Sequence, residues 1–65
     1  MGVPFCAQWQ AARAVVWQLT RGGNAWGAET LLMTVPEPRF RHALVLLRAD
    51  RQADVVAEMR GLVAA

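Results

Sequence analysis

The chain contains no lysine, no serine and no tyrosine, and only one cysteine and one histidine. Each shortage removes a class of protein. The single cysteine, Cys6, cannot close an intramolecular disulfide, so the staple of small secreted domains is excluded and a reducing, cytoplasmic setting is expected. A structural zinc site needs three or four Cys, His or carboxylate ligands. Cys6 and His42 cannot supply it, and no metal or cofactor is expected. Nucleophilic catalysis needs a nucleophile and a base within hydrogen-bond reach. Cys6 and His42 are the candidates, and no spacing joins them. Cys6, beside Phe5 and Trp9, reads as a small core residue, and His42 as a surface residue.

Other chemistry is equally thin. Arg21-Gly22-Gly23-Asn24 pairs two glycines but lacks the lysine and hydroxyl residue of a phosphate-binding loop, and reads as a helix C-cap. Glu29 and Glu37 would stand at opposite ends of one strand, about eight residues at ~3.3 Å each, too far apart for shared acid–base work. No enzyme is expected. Long apolar runs are also missing. In the second half the longest is Ala43 to Leu47, far short of the ~20 residues of a membrane span. Gln8, Gln10 and Arg13 interrupt the N-terminal apolar stretch, and no basic segment precedes it, so no signal peptide is expected.

What is present is a weakly charged, apolar chain of 65 residues, 55% hydrophobic and 18% charged. That balance argues against disorder and for one small domain spanning residues 1–65. A core of this size rarely supplies more than ~3–5 kcal/mol without staples. A homodimer or a partner protein that completes the core is therefore expected.

Two breaks, Gly22-Gly23-Asn24 and Pro36-Glu37-Pro38, divide the chain, with a weaker one at Ala49-Asp50. The spacing of Phe5, Trp9, Ala12, Val16 and Leu19, with Val15 at the edge, predicts a helix over residues 5–21. Val55, Val56, Met59, Leu62 and Val63 predict a second over 51–64, with Asp50 a suitable N-cap. Between them, Glu29 to Val35 and Arg39 to Arg48 read as two strands joined by the Pro-Glu-Pro turn. The fold expected is α+β, helix–β-hairpin–helix. The alternative is an all-helical bundle of three or four helices, because Phe40, Ala43, Leu44 and Leu47 also share a helical face.

The candidate contact residues are arginine and tryptophan. Arg13 and Trp17 stand four apart on the first helix, away from its apolar stripe, so a cation–π pair on an accessible face is expected. Trp26 lies in a Gly-flanked loop and either covers the core as a lid or meets a partner. Arg39, Arg41 and Arg48, with His42, make the second strand locally basic, and Arg39 with Arg41 would share one strand face. Residues 1–28 carry Arg13 and Arg21 and no acid.

Helix, hairpin, then a helix after Leu-Leu-Arg-Ala-Asp resembles the N-terminal part of prevent-host-death antitoxins in element order. That resemblance implies a nucleic-acid-binding regulator of antitoxin or repressor type, using the basic hairpin. The leading expectation is a small non-enzymatic binding protein, a stoichiometric inhibitor or regulator of a larger protein or nucleoprotein complex. Phage-encoded inhibitors of host defence, anti-CRISPR proteins among them, are compact domains of this plainness. A third expectation is a membrane-surface role for the first helix, for which two arginines are few.

Overall fold

The computed structural model describes residues 5–64, with side chains for residues 8–64. The roles read for the Phe5 and Cys6 side chains lie outside that set. Every element of the described chain is a helix: α1 (Phe5–Trp17), running on through a π-helical turn (Gln18–Gly22), then α2 (Ala25–Thr34), α3 (Pro38–Arg48) and α4 (Gln52–Ala64). Among the described residues there is no strand, so the expected β-hairpin is overturned and an all-helical bundle stands in its place. The antitoxin resemblance, which rested on that hairpin, falls with it.

The physical reason lies in the two segments read as strands. Pro38 occupies the first turn of α3, and the Glu37 side chain accepts the backbone N–H of Arg39 at 3.1 Å. Proline lacks only a donor that the first helical turn leaves unpaired, and its fixed φ suits that position. The Pro-Glu-Pro step therefore starts a helix instead of turning a hairpin. Val35, ahead of Pro36, is extended (φ −99°, ψ 113°), as a residue before proline prefers, and this ends α2. The apolar run that follows is built of Ala and Leu, good helix formers, with Val45 its single β-branched residue. The alternation from Arg39 to His42 is too short to oppose them. Phe40, Ala43 and Leu47 are buried at helical spacing, while His42, which a strand would place beside Phe40, is exposed.

At the α2 end, Asn24 caps the helix with its side-chain oxygen on the Gly27 N–H at 3.0 Å. The α3–α4 step closes differently. Asp50 N–H donates to the Leu47 carbonyl at 3.0 Å and Arg51 N–H to that of Leu46 at 3.0 Å, a Schellman closure. Asp50 itself takes the left-handed conformation (φ 61°). It therefore ends α3 and is not the N-cap of α4, where the sequence placed it.

The helices form a ring: α1 packs on α2 and α4, and α3 packs on α2 and α4. Ala12 and Val15 of α1, Ala28 and Leu32 of α2, Phe40 and Ala43 of α3, and Val55 and Met59 of α4 meet inside it, each no more than 1% exposed. Small residues on three of the four helices let the larger Phe40, Leu32 and Met59 interlock at close range. The stripe predicted for α4 holds: Val55, Met59 and Leu62 are buried, and Val56 and Val63 half-buried. On α1 the stripe turns slightly, so that Val15 is core and Trp9, Val16 and Leu19 are half-buried. Among the described residues, no helix is long and apolar enough to cross a membrane.

Candidate binding groove

The residues expected to act together from the hairpin are separated by α3. Arg39 and Arg41 lie on opposite flanks of the buried Phe40, since two residues span roughly 200° of a helix. They do not share a face. His42 Nδ1 sits 2.9 Å from Glu58 Oε1, and Arg48 Nε donates to Glu29 Oε2 at 3.0 Å. These two candidates are thus committed to carboxylates of neighbouring helices. Glu29 and Glu37 are likewise apart, one in that pair and the other capping α3. Among the described residues, no group of three His, Cys, Asp or Glu could hold a metal ion.

Arg13 and Trp17 are brought together, though not as expected. The Arg13 guanidinium stacks over the Trp9 ring, 4.8 Å from its centroid, well within cation–π range. Trp17 instead lies back over Gly22, where a Cβ would stand 2.9 Å from its ring. Trp9 is itself tied down, its indole N–H donating to the Val63 carbonyl at 3.1 Å. A hydrogen bond thus fixes Trp9, Trp9 holds Arg13, and Gly22 gives room for Trp17.

Both side chains line an open groove of about 630 Å³ running along α1 and the end of α4. Its apolar lining is Ala14, Val16, Val63 and Ala64; its polar lining is Gln10, Thr20, Arg21 and Arg60, together with Arg13. Among the described residues, no carboxylate lines it, and Arg13, Arg21 and Arg60 have no ion-pair partner. Trp17 is 54% exposed there.

Arg21 and Arg60 were missed as contact residues by the sequence reading. Arg21 stands at i+4 from Trp17 and i+8 from Arg13, so its place on their face was available in the spacing. Arg60 could be placed only by knowing that α1 packs against α4.

A second depression, of about 410 Å³, lies where the start of α2 meets the α3–α4 turn. Trp26 borders it, 74% exposed, so it is not a lid on the core. Glu29, Arg48 and Asp50 line it too, so its charges of both signs stand together. No known protein family matches the chain, and no curated protein or solved structure is significantly similar to it.

Proposed function

We propose that the chain is a non-enzymatic binding protein that acts stoichiometrically, as an inhibitor or regulator of a larger protein complex, through the groove between α1 and α4. One observation carries the reading: three arginines without a carboxylate partner among the described residues surround an exposed tryptophan on a concave surface. Arginine and tryptophan are the side chains most often found at the energetic centre of protein interfaces. Arg13 is held over Trp9 before binding, which lowers the ordering cost of association. The nucleic-acid reading loses its basis with the hairpin, because Arg39 and Arg41 no longer form one basic face.

The test is affinity capture from the source cells with three forms of the chain: the parent, Arg13→Glu with Arg60→Glu, and Arg39→Glu with Arg41→Glu. Light scattering on the recovered complex gives its stoichiometry. The groove reversal is expected to lose the partner, and the α3 reversal to keep it in a fixed ratio. The opposite pattern would move the interface to α3.

A further inference from the structure

Resting on that use of the groove, we infer that its occupant is an amphipathic helix of a protein partner, apolar along one face and bordered by Asp or Glu. The lining of the groove gives the argument. Its floor is aliphatic, Val16 and Val63 half-buried, and Trp17 presents an exposed indole beside them. A trough between two helices is the shape into which a third helix lays its apolar face. The rim is cationic on both sides, with Arg13 and Arg21 on the α1 side and Arg60 on the α4 side. Arginine forks onto a carboxylate with two parallel hydrogen bonds, and Arg13, held over Trp9, is exposed and makes no ion pair among the described residues.

Spacing adds a constraint. Arg13 and Arg21 are eight residues apart, roughly 12 Å along a helix axis. Carboxylates seven or eight residues apart on the occupant, two turns along its border, match that separation. Single-stranded nucleic acid fits less well. It is bound by several aromatic platforms along a continuous cationic track, whereas this groove offers one accessible indole above an aliphatic floor.

The test uses the full chain labelled with nitrogen-15 and read by its indole N–H resonances, Trp17 within the groove and Trp26 outside it as internal reference. The probe is a synthetic helix of about 18 residues, long enough to be helical alone, with a leucine face bordered by glutamates. A second peptide carries glutamine in their place, and oligothymidylate forms the third arm. The glutamate peptide is expected to shift Trp17 saturably and leave Trp26 still. Binding should weaken at least tenfold with the glutamine peptide, and be lost in the well-dispersed spectrum of Arg13→Glu with Arg60→Glu.

Equal binding of the two peptides, no binding of either, or a preference for oligothymidylate with a steep salt dependence would each overturn the assignment. The two levels separate cleanly. If groove reversal abolishes the native complex while the glutamate peptide fails to bind, the groove is the interface and the occupant is misassigned. If groove reversal leaves the native complex intact, the reading of the groove itself is wrong.

Discussion

Two concave surfaces of the molecule are each bordered by an exposed tryptophan and by arginine, and they differ in where the carboxylates stand. Around Trp26, Arg48 is engaged by Glu29 and Asp50 lies alongside. Around Trp17, Arg13, Arg21 and Arg60 face solvent with no acid among the described lining residues. All five acids of the chain fall between residues 29 and 58. One surface has therefore spent its donors on its own chain, while the other leaves them unpaired among the described residues. Residue type alone does not mark a binding surface here. An arginine beside a carboxylate must lose that contact before it can make another, and an arginine without one needs only to shed water.

The largest expected effect tests the core on which both surfaces rest. Met59 is fully buried. Met59→Asp leaves a carboxylate without a partner, at a cost of several kcal/mol, which meets or exceeds the ~3–5 kcal/mol available to a domain of this size. Circular dichroism should show no cooperative melt, and both surfaces should vanish together. An unchanged melting temperature would place the core elsewhere.

The next experiment makes the first surface resemble the second. Gln10→Glu puts an acid three residues before Arg13, in the groove. An i,i+3 pair of this kind adds a few tenths of a kcal/mol to the helix. Calorimetric titration with the glutamate-bordered helix should nonetheless show affinity falling about tenfold, or ~1.4 kcal/mol. Retained affinity would mean that free arginine is not what distinguishes the two surfaces.

Asp50→Gly probes the turn beside the second surface. The α1–α2 junction gives its left-handed position to Gly23 (φ 59°), whereas the α3–α4 junction gives the equivalent position to Asp50 (φ 61°). Glycine adopts this conformation without steric penalty. The substitution should stabilise by up to ~1 kcal/mol, visible as a Tm rise of roughly 4–8 °C for a domain this small. A fall in Tm would show that the Asp50 carboxylate contributes more than its backbone costs.

The smallest effect belongs to the ion pair itself. Both partners of Arg48–Glu29 are a third or more exposed, at 58% and 34%, so water and salt screen them. Arg48→Ala should cost less than ~1 kcal/mol, and that difference should shrink as salt is added. A larger, salt-insensitive loss would mean that the arginine acts by packing, with the Met33 sulfur 3.9 Å from its Nη2 as the first contact to examine.

The outer helices were legible because their apolar residues repeat over three or more turns: the helix read over 51–64 is α4, and that read over 5–21 is α1 with its π-helical turn. Between them, ten- and eleven-residue helices present a stripe of two or three buried positions. Over so short a span an apolar run fits either period. The helix at Pro38 was signalled by its capping chemistry, which outweighed the four-residue alternation beginning at Arg39. At the groove, Arg13 and Trp17 could be found from one helix alone. The partner of the Arg13 guanidinium could not, because Trp9 is fixed by Val63, far away in sequence. The same holds for Arg60, whose place depends on a pairing between helices that no local pattern encodes.

That Trp9–Val63 hydrogen bond spans 54 residues, and it lies on the one seam of the ring that joins helices not adjacent in sequence. Every other helix pair can form by closing a short loop, whereas α1 and α4 must find each other across the length of the described chain, the step that chain entropy makes slowest. The proposed docking site straddles this seam. A partner seated across it would act as a clasp as well as a target, adding RT ln(1 + [L]/Kd) to the free energy that holds the ring shut, about 2.7 kcal/mol at a hundredfold excess over Kd. In a domain of a size whose core rarely supplies more than ~3–5 kcal/mol, occupancy would then add substantially to the stability of the fold, and amide exchange along α1 and α4 would slow in step with partner concentration.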